Sequence, residues 1–242
     1  MTPRIHVDRP LAGGERFVLP TAPSRHVQVL RLQPGAALTL FNGQGGEWRA
    51  RVATIGRSGV GVEVMDAVHV DREAARHVTI AVGVPANERM DALVEKATEL
   101  GVASIQPLLC ERSVLRLSGE RASRRVAHWQ AIAVAASEQC GRTRVPAVAA
   151  VCRLEEWLAE SAHAPSSETR HYVLDPAAAE PWHRALAGPR GARLVVLSGP
   201  EGGLTSSERA ASRTSGFTAV TLGARILRAD TAPLAFLALV NL

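Results

Sequence analysis

The sequence predicts an α/β protein: a mostly parallel sheet in the C-terminal part and a small β-barrel at the N-terminus. Three observations carry this. Up to Val70, short strand-like runs are separated by Gly-rich turns. From Val78 onward, apolar runs of strand length alternate with stretches of helical period, the pattern of a parallel sheet covered on both faces. Between Leu197 and Asp230, two apolar strands each run into a loop that opens a helix, which directs both loops to one cleft at the carboxyl ends of the strands. A chain of 242 residues with 46% hydrophobic content is large enough for such a core, as one domain or two.

Taken in order, Arg16 to Leu19 alternates as a strand does. Ser24 stands where it can cap a short helix through Leu32, with Val27 and Leu30 on one face and Gly35 at its end. Ala37 to Phe41, Glu47 to Ile55 and Gly59 to Val70 read as strands, joined by turns at Asn42-Gly43 and at Gly56 to Ser58. The expected result is an antiparallel meander closing into a barrel, either a structural cap or an RNA-holding module. The charged stretch Asp71 to His77 marks the boundary, giving expected domains 1–71 and 72–242.

In the second part, Val78 to Val84 is a buried-type strand. Glu88 to Leu100 is a helix with Met90, Leu93, Val94 and Ala97 inward, closed by Gly101. Val102 to Leu109 is the next strand, and Gly119 to Cys140 a long helix that turns Val126, Trp129, Ile132, Ala133 and Ala136 to the core. Leu154 to Glu160 is a short helix, Ala162 to Thr169 a polar loop, and Tyr172 to Leu174 and Arg193 to Leu197 are strands around a short helix near Trp182 to Leu186.

The composition narrows the functional classes. Cys110, Cys140 and Cys152 lack paired spacing, so neither a disulfide framework nor a zinc site is expected. The eight histidines lack ligand spacing, so no metal is expected; His128 is placed on the solvated side of its helix. The longest apolar run, Ala229 to Leu242, is interrupted by Asp230 and Pro233 and is too short to cross a bilayer, and no signal-like segment opens the chain. A soluble, cytoplasmic protein is expected. The net charge of +5 is concentrated between Glu111 and Val145, where seven arginines face three acids, which favours a phosphate-binding face there.

In Gly199-Pro200-Glu201-Gly202-Gly203, glycine permits close backbone approach and positive φ while proline stiffens the entry. Thr205 and Glu208 have capping-box spacing, which fixes the next helix start independently of any ligand. The spacing is neither a dinucleotide fingerprint nor a P-loop, which disfavours phosphate hydrolysis. The second loop, Leu222 to Ala232, sets Arg225, Arg228 and Asp230 beside apolar groups at a helix entrance; Asp230 as N-cap is its simplest role, and Pro233 falls in the first turn.

These two motifs, at this spacing and near the C-terminus, resemble the SPOUT superfamily of S-adenosylmethionine methyltransferases. In particular they resemble the RsmE family, which methylates N3 of a uridine in small-subunit ribosomal RNA. The similarity extends over nearly the whole chain through His26-Val27 with Val29-Leu30-Arg31 and Pro34-Gly35, Arg89-Met90 with Glu95 to Val102, Glu111-Arg112-Ser113, and Glu138 to Arg142 with Val145-Pro146. The resemblance implies a PUA-like barrel followed by a SPOUT domain with a trefoil knot, a homodimer, S-adenosyl-L-methionine as cofactor, and 16S rRNA of the small subunit as partner. By position, Leu197, Gly199, Glu201, Gly202, Leu222, Gly223, Ile226, Leu227 and Thr231 would surround the cofactor. Arg228 or Arg225 would stabilise the uridylate oxygens, with Glu201 or Asp230 as base. His26, Arg31, Arg112, Arg124, Arg125, Glu138, Gln139 and Arg142 would face RNA.

The family usually carries glutamate at the position of Asp230, and it tends to be basic where this chain has Pro85-Ala86-Asn87-Glu88. Two other functions compete: a SPOUT ribose 2′-O-methyltransferase on transfer RNA, which the barrel and the Glu138 to Arg142 segment disfavour, and a non-catalytic RNA-binding assembly factor with a relic pocket.

Overall fold

The computed structural model describes residues 2–86, 89–160, 168–185 and 193–242. The chain divides into two compact units, Met1–Glu73 with Val134–Val145, and Ala74–Ala133 with Pro146–Leu242.

The first unit is built on β1 (Arg4–His6), β2 (Arg16–Val18), α1 (Thr21–Val29), β3 (Ala37–Phe41), β4 (Glu47–Gly56) and β5 (Gly59–Val68). The sheet runs β1-β3-β4-β5-β2, antiparallel except that β1 lies parallel to β3. Strand β1 was not expected; it has only three residues and lies among charged neighbours, too short for alternation to register. It nonetheless brings Ile5, with Val7 just beyond it, into the same core as Leu38, Leu40, Val52 and Val62, so both end strands and the middle of the sheet share one apolar interior.

Helix α1 departs from its expected boundaries. It starts at Thr21, and Ser24 is an internal buried residue whose hydroxyl donates to the Leu19 carbonyl (2.9 Å) and accepts from the Val60 amide (3.2 Å). Ser24 therefore ties the helix to β5 and does not cap it. Val27 is buried as expected, but Leu30 is 42% exposed because the helix has already ended. The end is formed by Arg31 at φ 55°, with Arg31 N–H on the Gln28 carbonyl (2.9 Å) and Leu32 N–H on that of Val27 (3.3 Å). This is a Schellman closure in which arginine occupies the left-handed position usually given to glycine. Gly35 belongs to the turn before β3.

Residues 134–145 are held in this unit through half-buried Glu73 and Glu138, beside buried Glu47. Glu73 accepts from Arg142 Nε (2.9 Å) and Nη2 (2.6 Å), and from the Thr143 and Arg144 amides (3.0 Å each). Glu47 receives Arg72 and Arg4; burial alone would raise its pKa, but these two guanidiniums hold it below the ordinary value. Glu138 accepts from the His6 amide (2.8 Å) and lies 3.2 Å from His26 Nδ1.

The second unit comprises β6 (Val78–Gly83), α2 (Arg89–Glu99), β7 (Ser104–Leu109), the first part of α3 (Gly119–Cys140), β8 (Ala147–Val148), β9 (Cys152–Arg153), α4 (Leu154–Ala159), β10 (Thr169–Leu174), α5 (Trp182–Ala185), β11 (Arg193–Ser198), α6 (Ser206–Thr214), β12 (Thr218–Val220) and α7 (Thr231–Asn241). The sheet order is β12-β10-β11-β6-β7-β8, with β9 also on β7, and every pairing is parallel. Strands β8 and β9, two residues each, are additions to the expected set. Glu88, residues 162–167 of the expected polar loop and Leu186 lie outside the described residues.

Helix α2 closes as expected at Gly101 (φ 82°). On α3, Trp129, Ala133 and Ala136 are buried, whereas Val126 and Ile132 are half-buried. Trp129 Nε1 donates to Asp91 Oδ1 (3.0 Å), and exposed His128 pairs with Asp91 Oδ2 (2.8 Å), which joins α3 to α2.

Candidate functional site

The strand order turns back between β6 and β11, and successive strands β10, β11 and β12 place their carboxyl ends together. In a parallel sheet the loops leaving these ends carry the free backbone groups, so this is where a ligand site is expected.

The loop after β11 is the more tightly specified. Gly203 at φ 67° closes a turn on the Pro200 carbonyl (2.8 Å). A Cβ at Gly83, the end of β6, would lie 2.6 Å from Pro200 Cδ and N, so the loop passes over β6 only because Gly83 has no side chain. The Thr205–Glu208 capping box is formed as its spacing predicts: the Thr205 hydroxyl accepts from Glu208 N–H (3.2 Å) and Glu208 Oε2 from Thr205 N–H (2.8 Å). Glu208, 6% exposed, also accepts the Glu111 amide at Oε1 (2.7 Å), and Arg112 Nη1 donates to the Gly202 carbonyl (3.0 Å). The segment after β7 therefore braces the glycine loop. Beside it, burial, and secondarily the Glu208 charge, pushes the Cys110 thiol up to about 12, so it stays protonated and unreactive.

The loop after β12 is held by fewer bonds. Thr221 Oγ1 donates to the Gly223 carbonyl (3.1 Å), and the Arg228 carbonyl accepts from the Thr231 and Ala232 amides (3.0 and 2.9 Å). Asp230 occupies the N-cap position of α7 but makes no side-chain cap bond. The expected capping role fails for a physical reason: its backbone is already helical (φ −79°, ψ −33°), the Ala232 amide is taken, and the third helical position is Pro233, which has no N–H. Asp230 Oδ1 is buried without a hydrogen-bond partner among the described residues.

The third wall comes from the end of β10, where Asp175 accepts the Ala177 amide at Oδ1 (3.0 Å). Together these segments enclose a cavity of about 390 Å³ within the second unit. Val173, Leu174, Pro176, Leu204, Val220 and Leu227 give it apolar walls; Asp175, Glu201, Arg89, Arg209, Arg225 and Arg228 give it charged ones. Glu201 Oε1 accepts the Ala86 amide (2.9 Å) and lies 3.7 Å from Arg89 Nη1. The size and the apolar lining with a few polar groups suit a small nucleoside-like molecule.

Of the expected cofactor and catalytic residues, Gly199, Glu201, Leu222, Ile226, Leu227, Arg225 and Arg228 line this cavity. Leu197, Gly202, Gly223, Thr231 and Asp230 are not on its wall. Leu197 is fully buried in the core beneath, Gly202 backs onto Arg112, Gly223 is exposed in the Thr221 turn, and Thr231 opens α7. The β10 end, with Asp175, was missed, as was Arg209; the rule that pointed to the other two loops applies equally to Val173-Leu174-Asp175-Pro176, since it ends a parallel strand.

Of the residues expected to face RNA, Gln139 and Arg31 are exposed in the first unit, and His26 is partly exposed but paired to Glu138. Arg142 is 6% exposed and bound to Glu73, so it braces the unit and is no phosphate ligand. Glu138 likewise points inward, to His6 and His26. In the second unit Arg124 is exposed beside Glu120 (3.5 Å), Arg125 is half-buried, and Arg112 is engaged at Gly202. Among the described residues no group of three or more His, Cys, Asp or Glu is arranged for a metal, and no helix is long and apolar enough to cross a membrane.

Residues 72–241 match the model of the RNA methyltransferase domain, and residues 22–65 that of the RNA methyltransferase PUA domain. Fold and sequence thus define an RNA methyltransferase carrying a PUA domain. The chain is 34% identical to the ribosomal RNA small subunit methyltransferase E of Synechocystis over 92% of its length and 72% of that protein, and 29% identical to that of Bacillus subtilis over 86% and 82%. The crystal structure of ribosomal RNA small subunit methyltransferase E from Neisseria gonorrhoeae bound to S-adenosyl methionine superposes with a TM-score of 0.91, at 36% identity, over 99% of this chain and 96% of that one. A Legionella pneumophila protein solved with bound cofactor SAM gives a TM-score of 0.92 at 30% identity, over 99% and 97%. The chain belongs to the ribosomal RNA small subunit methyltransferase E family.

Proposed function

We propose that this chain methylates N3 of a uridine in 16S rRNA on the small ribosomal subunit, with S-adenosyl-L-methionine as donor. The observation that carries the reading is the cavity at the ends of β10, β11 and β12, where two loop arginines share a wall with an apolar slot of cofactor size. The residues fit the donor. Val173, Leu174, Pro176 and Val220 offer apolar surface to an adenine, and the loop approaches closely at Gly199, where a Cβ would lie 2.9 Å from the Leu204 amide nitrogen.

When bound, the donor supplies a methyl group already activated by its sulfonium. The protein must then make uracil N3 nucleophilic. Loss of the N3 proton moves negative charge onto O2 and O4, and Arg228 or Arg225 stabilises that charge from the cavity wall. Glu201, on the cavity wall, is the proton acceptor the geometry favours; Asp230, the other candidate, lies off that wall and would have to move to reach the base. Glu201 has one oxygen engaged at Ala86, whereas Asp230 Oδ1 has no partner among the described residues. Arg31, Gln139, Arg124 and Arg125 are the exposed or half-buried residues that would meet RNA. The reading includes a cytoplasmic homodimer with a trefoil-knotted C-terminal domain; Ile226, 83% exposed beside the cavity, is an apolar side chain for a partner subunit to cover.

Nucleoside mass spectrometry of 16S rRNA with and without the gene tests the reaction. 3-Methyluridine should vanish on deletion and return on complementation; its persistence would overturn the N3 assignment. With purified enzyme, Arg228→Ala should lower turnover about 10²–10³-fold with little change in donor affinity. Near-normal turnover would remove Arg228 from the chemistry. Light scattering reads the oligomeric state, and a monomer would refute the homodimer.

A further inference from the structure

Asp175 is the most buried carboxylate on the cavity wall, its side chain only 7% exposed. Its two oxygens are in different states. Oδ1 accepts the Ala177 amide at 3.0 Å, which fixes the side chain in a turn at the end of β10. Oδ2 has Arg209 Nε at 3.9 Å, beyond hydrogen-bond reach, and no hydrogen bond from any described residue. The carboxylate is thus held in place on the cavity wall with one oxygen ion-paired to Arg209 but free of hydrogen bonds among the described residues, an acceptor available to a donor group on a ligand.

The surroundings select the donor. Asp175 shares the cavity wall with Val173, Leu174, Pro176 and Val220, and the Arg209 guanidinium 3.9 Å from Oδ2 sets a positive charge beside it that repels a cationic ligand group. A neutral hydroxyl enters such a setting at little desolvation cost, whereas an ammonium loses its hydration shell and belongs at a more polar wall such as that of Glu201 and Arg89. A carboxylate at the end of a parallel strand is also a general solution for holding a ribose hydroxyl.

Resting on the S-adenosyl-L-methionine reading, we infer that Asp175 is the residue that recognises the ribose of the donor, accepting a hydrogen bond from its 2′- or 3′-hydroxyl at Oδ2. The bond is charge-assisted and buried, so its loss should weaken donor binding about tenfold to a hundredfold. Asp175 thereby distinguishes ribonucleoside donors from their deoxy analogues, independently of the methyl group.

The test is calorimetric. S-adenosylhomocysteine and its 2′-deoxy and 3′-deoxy analogues are titrated into the wild type, Asp175→Asn and Asp175→Ala. Asparagine keeps an acceptor for Ala177, and circular dichroism confirms folding. The wild type should lose about tenfold or more with one deoxy analogue. Asp175→Asn should lose a similar factor with S-adenosylhomocysteine and no more with that analogue. Equal binding of all three ligands by the wild type, which needs no variant to fold, would overturn the assignment. So would an Asp175 loss that persists undiminished with both deoxy analogues, the result expected if the carboxylate reads the adenine amino group. If the wild type binds neither S-adenosylmethionine nor S-adenosylhomocysteine, the methyl-donor reading itself fails, and the Asp175 assignment with it.

Discussion

Removing the Glu208 carboxylate should cost far more than an ordinary helix cap. Glu208 is 6% exposed and satisfies two backbone donors, Thr205 N–H at 2.8 Å and Glu111 N–H at 2.7 Å. Hydrogen bonds to a charged acceptor contribute about 1.5–3 kcal/mol each, and both amides would be left without this partner. Glu208→Ala is therefore expected to destabilise the second unit by about 3–5 kcal/mol, against about 1 kcal/mol for loss of a cap alone. At about 2–4 °C per kcal/mol this corresponds to a melting shift of roughly 6–20 °C. Glu208→Gln retains one acceptor oxygen but turns an amide donor toward the other N–H, so about half the loss should remain. Urea unfolding followed by circular dichroism measures both. Because Glu208 holds Glu111, and the next residue, Arg112, braces Gly202, donor affinity should fall with stability in the alanine variant. A loss of about 1 kcal/mol or less for Glu208→Ala would show that Glu208 is only a cap, and the argument that it joins the two loops would be wrong.

Two further predictions concern the first unit. Arg31→Gly should raise its stability by up to about 1 kcal/mol, since glycine adopts the φ of 55° without steric cost, while RNA affinity in a filter-binding assay falls with the lost cation; unchanged or lower stability would deny strain at Arg31. Burial pushes the Glu138 carboxyl above its ordinary value of 4.5, against the His6 amide and His26, which favour the ionised form. The folded state then holds a proton that the unfolded state releases, so stability falls as pH rises from about 4.5 through the raised value. Glu138→Gln should flatten that dependence in melting curves taken from pH 4 to 7, and a slope identical to wild type would refute the assignment.

What was legible in the sequence followed from local chemistry. The Thr205–Glu208 box and the Gly101 closure need only neighbours within one turn, and both formed. Strands β6 and β11 were recognisable as buried runs of sufficient length. The failures depend on partners distant in sequence. Ser24 has a capper's chemistry, but its hydroxyl serves Leu19 and Val60, and the pairing that commits it is set by the sheet. Arg142 carries a phosphate ligand's charge, yet Glu73, 69 residues earlier, takes two of its guanidinium N–H groups. Strands β1, β8 and β9, two or three residues long, have no period to detect. The end of β10 was missed because Leu174-Asp175-Pro176 has no glycine signature, although its place in a parallel sheet gives it the same claim on a ligand.

The cavity's two glycine-bearing loops are built on different principles. The loop after β11 is determined by protein groups alone: the Pro200 turn, the close pass over Gly83, the capping box, and the Arg112 and Glu201 bonds fix it before any ligand arrives. The loop after β12 keeps Gly223, Arg225, Ile226 and Arg228 exposed, and no cap side chain pins its helix because Pro233 removes the amide such a cap would use. The conformational cost of binding therefore falls mainly on the second loop, and binding energy spent there can align its arginines only when the cavity is filled. On the proposed reading, a preorganised loop would give affinity and a less restrained one would carry the two arginines, which would confine reactive geometry to the ternary complex. Asp230 belongs to the same pattern: with Pro233 removing the amide a cap would use, its buried Oδ1 has no hydrogen-bond partner among the described residues.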